Sequence, residues 1–371
     1  MSDPLGGLEP PPPSEEAQPQ TQPRAKRPFT PTTWALLAVL AAGFVAEGLI
    51  GHDSTVESSV ALVRLGALYL PAVRSGDWWR LGSYAFLHIG WAHIAMNAWA
   101  LWILAPQLEA TYGSNQTMGL FASTAIAGGG ASVLWAMVRG GTPALAAGAS
   151  GGLFGLFGAT VALAWRLRYR IPPEARRSVF RRILGTLAIN VAIAAFFPVD
   201  SAAHLGGLLS GAVLGLLAPL PMLSPQPWHR LTQWFLIASA LVLFAGEGAA
   251  VAWAARPKPR TLRGPHVEAQ VPGMLVPVEP GVALLPGAAY VEIRRDDERL
   301  SIEPGEDAIR VGDRTWVREK DNREGKDIAL LAASDGSGRL VIEFACGADF
   351  CRGAKGQQMY ELVARSIRTI H

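Results

Sequence analysis

The chain has 371 residues, half of them hydrophobic and only 17% charged, with a net charge of +3. That balance is too apolar for a soluble enzyme of this length. No basic stripe with interleaved aromatics is present, which excludes a nucleic-acid partner, and the small positive excess points to topology and anionic lipid contact.

Residues 1–31 are rich in proline, glutamine and glutamate and read as a disordered tail. No signal-peptide pattern follows, so the first apolar run is expected to stay as an anchor. Seven apolar runs, near 33–51, 86–106, 116–138, 149–167, 183–198, 202–220 and 231–254, approach the roughly 20 residues that cross a bilayer. The fourth to sixth are short, glycine-interrupted or polar at one end, as in segments that line a cavity. The expected fold is an all-α polytopic membrane protein with a small β-rich extramembrane domain after its last span. Its divisions are a cytoplasmic tail (1–31), a six-helix core (32–220), a loop and seventh helix (221–255) and the final domain (256–371).

Orientation follows from the basic residues. Arg24, Lys26 and Arg27 precede the first span, and Arg166, Arg168, Arg170, Arg176, Arg177, Arg181 and Arg182 follow the fourth against the single acid Glu174. A seven-span count puts both groups on one side, which the positive-inside rule makes cytoplasmic. Ser150, His204 and residues after 255 then fall on the outer side. Six prolines make 256–281 a stiff linker or irregular lead-in. Alternating runs at 290–294, 314–318 and 339–344 read as strands. Cys346 and Cys351 are the only cysteines; on the outer side they are compatible with a local disulfide or with two free thiols.

The chemistry concentrates at helix starts. Ser150 follows Gly148-Ala149 and precedes Gly151-Gly152, and His204 opens the sixth run. Ionisable groups inside a membrane are expensive and mark functional sites. A serine beside a histidine supplies a nucleophile and its base. Gly151, Gly155 and Gly158 face a matching row at Gly207, Gly211 and Gly215, a pattern that lets two helices approach closely. Phe154 stands one turn beyond Ser150 on the same helix face, placed to stack on the imidazole. Asp200 precedes His204 by four residues in a loop at the membrane edge, so a dyad without an acid is expected. In the second run His93 and Asn97 share a helix face and can donate hydrogen bonds to an oxyanion. His88 lies about 140° round the helix from His93, which disfavours joint metal ligation; its expected part is to fix loop geometry. No metal or cofactor is expected.

On these residues the chain resembles the rhomboid intramembrane serine proteases. The landmarks are Trp79-Arg80, the His88…His93…Asn97 cluster, Leu108-Glu109 with Tyr112-Gly113-Ser114, Gly148-Ala149-Ser150-Gly151, and Ala203-His204 with Gly207 and Gly211. The resemblance covers about residues 32–220 and implies a rhomboid six-helix core plus a C-terminal seventh helix. It implies Ser150 as nucleophile and His204 as base, with His93, Asn97 and the Ser150 N–H as the oxyanion site. Trp79 and Arg80 match a supporting pair in the membrane-edge loop, and Glu109 a structural carboxylate that bonds the inner loop. Phenylalanine at 154 keeps the stacking face of the tyrosine common there and loses its hydroxyl.

The function expected is an endopeptidase that cuts membrane proteins in or near their spans, with transmembrane substrates and the bilayer as partners. A bacterial inner membrane is the expected location. Its alternatives are a non-catalytic rhomboid-like protein that binds membrane clients and a transporter with a broken helix. Substrate identity and oligomeric state are open from sequence.

Overall fold

The structure, a computed structural model, describes residues 30–50, 61–139, 145–170, scattered positions from 172 to 189, 199–223, 225–255 and, with breaks, 259–369. The N-terminal tail and most of the fifth apolar run lie outside the described residues.

The fully described helices of the helical part are α1 (Pro31–Ile50), α2 (Leu70–Arg74), α3 (Arg80–Ser83), α4 (Trp91–Tyr112), α5 (Ser114–Val138), α6 (Ser150–Arg166), α7 (Ser201–Leu217) and α8 (His229–Ala255). By length and composition α1, α5 and α8 are long and apolar enough to cross a membrane, and α7 is a shorter apolar helix. The outer faces carry exposed tryptophans such as Trp91, Trp99 and Trp102, the reverse of a water-soluble bundle and suited to contact with lipid. Inside, Leu101, Leu108, Leu120, Phe121, Leu156 and Leu236 belong to one buried cluster.

Two departures from the expected spans have local causes. The second span was expected from residue 86, but α4 starts at Trp91, because Tyr84–Phe86 forms a single 3-10 turn and Gly90 sits at φ 80°. That positive φ favours glycine and ends the loop. His88 is therefore a loop residue, and helix geometry does not relate it to His93. At its other end α4 runs on to Tyr112, where Gly113 at φ 88° turns the chain directly into α5.

Helices α6 and α7 are in backbone contact. A methyl group on Gly207 or Gly211 would run into the carbonyl oxygens of Gly151 and Gly155, and one on Gly158 into that of Leu208. Without a hydrophobic drive between helices in lipid, such close packing supplies the attraction. Both ends of α7 are tied. Asp200 caps its N-terminus by accepting from the Ala203 N–H at 2.9 Å. At its C-terminus the Arg166 guanidinium donates to the carbonyls of Gly215 and Ala218 at 3.0 and 2.6 Å, as suits the negative end of a helix.

Among the loops between these helices, β1 (Leu68–Tyr69) and β2 (Leu145–Ala146) form a short antiparallel pair, and beyond α8 the chain is sheet-rich. Strands β3 (Arg260–Gly264) and β4 (Val267–Val271) form a three-stranded sheet with β12 (Arg368–Thr369). Strands β5 (Val276–Glu279), β6 (Val282–Leu285), β7 (Ala289–Asp296), β8 (Ala308–Val311), β9 (Arg314–Arg323), β10 (Lys326–Ser334) and β11 (Arg339–Gly347) form a seven-stranded antiparallel sheet ordered β5-β6-β7-β11-β10-β9-β8. Helix α9 (Ala354–Ser366) closes the core through Met359 and Val363. Within the proline-rich segment 256–281, expected as a linker or irregular lead-in, the described residues include the strands β3, β4 and β5. Three of its described prolines stand where strands tolerate them: Pro265 in the turn, Pro272 after β4, and Pro277 at a register shift of the edge strand β5. Cys346 lies in β11, whereas Cys351 lies outside the described residues.

A candidate serine–histidine site at the ends of two helices

Ser150 is the first residue of α6, and His204 stands in the first turn of α7. Because the glycine rows bring these helices together, the His204 Nε2 lies 2.8 Å from the Ser150 Oγ. Phe154 stacks on the imidazole with ring centroids 4.2 Å apart and planes 11° from parallel. An aromatic contact of this kind contributes about 0.5–1.5 kcal/mol beyond burial.

The Asp200 carboxylate is engaged elsewhere. Besides capping α7 it accepts a hydrogen bond from the Ser132 hydroxyl of α5. Asp200 is thus not a loose loop residue but the N-cap that sets where α7 begins. A signal for it was in the sequence: Asp200-Ser201-Ala202-Ala203 ahead of an apolar run is a capping pattern.

Across the site stand His93 and Asn97 of α4. The Ile89 N–H donates to His93 Nδ1 at 3.4 Å, so in the neutral ring the proton resides on Nε2. That nitrogen faces the chain leading into Ser150: a Cβ on Gly148, at φ 137°, would come within 2.8 Å of it and within 3.6 Å of Asn97 Nδ2. Asn97 is buried, and its Nδ2 has no hydrogen-bond partner among the described residues. A buried amide donor without a partner costs about 1–3 kcal/mol, which suits a donor directed at a transient acceptor. The first turn of α6 adds backbone N–H groups, because Ala149 offers no side chain to cap them.

The remaining expected residues lie around this centre. His88 is buried in the loop, its ring 5.2 Å from that of His93, and its backbone N–H donates to the Glu47 carboxylate of α1 at 2.7 Å. Glu47 was not anticipated; as a carboxylate within an apolar run it was a visible signal. Arg80 is fully buried, donating to the carbonyls of Val63 and Ala67 and paired with Asp77 at 3.0 Å. Burial pushes its guanidinium down to about 10, with Asp77 acting in the opposite sense. The guanidinium lies over the rings of Trp79 and Trp253, which pins the loop to α8. Glu109 binds the first turn of α1, accepting from the Thr32 and Thr33 N–H groups and the Thr33 hydroxyl, and also takes the Ser114 hydroxyl. It joins the ends of α1, α4 and α5 on the face opposite Ser150. Tyr84 is a further residue that sequence reading did not single out. Its hydroxyl donates to the Ala125 carbonyl and lies against Gly128 and Gly151, where α5 meets α6.

Residues 75–221 match the Rhomboid domain family. The chain is 30% identical over 234 residues to the rhomboid protease GluP of Bacillus subtilis, a match covering 61% of this chain and 43% of that protein. It is 34% identical over 173 residues to the mitochondrial RHOMBOID-like protein 6 of Arabidopsis thaliana, covering 46% of this chain and 52% of that one. It is 29% identical over 188 residues to the rhomboid-like protease 1 of Toxoplasma gondii, covering half of this chain and 61% of that one. The chain carries a Rhomboid domain over residues 75–221. Rhomboid membership and the apolar helices together make it an integral membrane protein. The matched family region takes in Ser150, His204, Phe154, His93 and Asn97 and ends before α8.

Proposed function

We propose that this rhomboid protein is an intramembrane serine endopeptidase that hydrolyses peptide bonds in or near the transmembrane segments of other membrane proteins. The observation that carries the reading is the 2.8 Å contact between His204 Nε2 and Ser150 Oγ under the stacked Phe154 ring. Ser150 Oγ attacks the substrate carbonyl carbon while His204 takes its proton. The oxyanion is held by His93 Nε2, Asn97 Nδ2 and the Ser150 N–H, donors aimed where charge develops. Collapse breaks the C–N bond, and the imidazolium returns its proton to the leaving amine. Water, deprotonated by His204, then attacks the acyl-enzyme and releases the new carboxyl terminus.

The remaining assignments follow from that reading. Trp79 and Arg80 support the loop over the site, Gly148 leaves room for the oxyanion, and Glu109 ties the inner ends of the helices. The core is six helices over 32–220, with α8 as the additional seventh in 221–255 and a sheet-rich domain over 256–371. The Arg-rich chain after α6 faces the cytoplasm, and Ser150 and the sheet-rich domain face outward across a bacterial inner membrane. A substrate helix must unwind to expose its backbone to Ser150, so spans destabilised by Gly, Ser or Pro and small residues at the cut are preferred. The test is purified protein in proteoliposomes with a helical-span reporter. The unmodified chain is expected to release fragments and Ser150→Ala none; equal cleavage by both would remove Ser150 from the mechanism.

A further inference from the structure

The segment that leads into Ser150 is Leu145-Ala146-Ala147-Gly148-Ala149, one bulky side chain followed by three alanines and a glycine at φ 137°. Such a segment has little of its own to hold it in one conformation. It is held by neighbours. Ala146 pairs with Leu68 and Leu145 with Tyr69 as a short antiparallel ladder, and the Gly148 N–H donates to the Tyr84 carbonyl at 3.0 Å.

Leu145 itself packs where three buried clusters meet. One is the core of the sheet-rich region, which also takes in Val63 from the helical part. The second joins Val276 of β5 to Tyr69 and Ala72. The third contains Leu65, Ala67 and Ala254 at the end of α8. A polar clamp runs alongside: Arg260 of β3 bonds Asp77 at 2.6 Å, the same carboxylate that pairs with the buried Arg80. The sheet-rich region is therefore docked on the loops around the site as well as joined to α8.

We propose that Leu145 and Val276 are positioning residues through which the sheet-rich region fixes the 145–149 segment, and with it the placement of Ser150 against His93 and Asn97. This rests on the reading of Ser150 as the nucleophile. It gives the region a part in turnover that is separate from any contact with substrate. Loss of the docking leaves Ser150 on an intact α6 but frees the chain that aims it, so the effect falls on kcat more than on KM.

The experiment uses full-length protein with Leu145→Ala, Val276→Ala, the double variant, and Arg260→Gln as a milder undocking variant if Val276→Ala fails to fold. Amide hydrogen exchange of 145–149 is read first, because it needs no turnover. Val276→Ala and Arg260→Gln are expected to speed exchange there about tenfold, while α6 and α7 stay protected. On a helical-span reporter kcat is expected to fall about threefold or more with KM nearly unchanged, and the double variant to lose less than the sum of the single losses. Unchanged exchange at 145–149 in both undocking variants overturns the proposal. Faster exchange with unaltered kcat overturns its catalytic half. An unmodified chain that exchanges as expected but cleaves nothing overturns the protease reading and leaves the docking of 145–149 standing.

Discussion

Phe154 carries no hydroxyl, so whatever it does for His204 it does through its ring face, 4.2 Å from the imidazole. Phe154→Ala removes that face, and a loss of about 0.5–1.5 kcal/mol corresponds to a roughly two- to tenfold fall in kcat/KM. Phe154→Tyr keeps the face and is expected to stay near the unmodified rate; a Tyr variant as slow as the Ala variant would show that stacking is not the operative contact. Asp200 acts one step further back, through the helix that carries His204. Asp200→Ala removes the α7 cap, at a cost of about 0.5–2 kcal/mol seen as a lower unfolding temperature. Asp200→Asn retains a capping oxygen and is expected to keep most of the stability. Residues of this scale were unevenly visible in the sequence. Ser150, His204 and Phe154 stand in short local patterns, so they could be read together. Glu47 and Tyr84 meet partners about 40 residues away, His88 and Ala125, and nothing local pairs them.

Elements were legible where their cause is periodic and obscure where it is a single torsion. The glycine rows of α6 and α7 repeat every three or four residues, and the close approach they permit was foreseeable. The start of α4 turns on one positive φ at Gly90 and one 3-10 turn, which an apolar run conceals. The strands β3 to β5 were hidden by their prolines, because composition records how many there are but not that they sit at turns and an edge. The α6–α7 contact yields a sharp expectation. Gly211→Leu drives a branched side chain into the Gly155 carbonyl, a misfit of at least about 1–3 kcal/mol that also separates Ser150 from His204. Both unfolding temperature and cleavage should drop. Gly130→Ala, on α5 with nothing within 4 Å of the added methyl, should lower neither, since alanine is the better helix former. If Gly211→Leu left the unfolding temperature unchanged, the backbone contact of α6 and α7 would be wrong.

Across the whole molecule, the two ends of α6 and α7 differ in kind. At one end lie Ser150, Asp200 and His204, with the docked sheet-rich region held by Arg260 and Leu145. At the other, Arg166 reaches the last carbonyls of α7, and a chain with six further arginines follows. Basic residues next to spans resist transfer across the bilayer, so the arginine end should face the cytoplasm and the site the exterior. Glu174 and Arg263 are exposed reporters of the two ends. In a background with Cys346→Ala and Cys351→Ala, Arg263→Cys should react with a membrane-impermeant maleimide applied to intact spheroplasts. Glu174→Cys, which leaves every arginine in place, should react only after the membrane is opened. Labelling of position 174 from outside would invert the topology and place Ser150 inward. Labelling of both positions from outside would show that the chain between them does not cross the membrane an odd number of times, contrary to the seven-helix arrangement proposed.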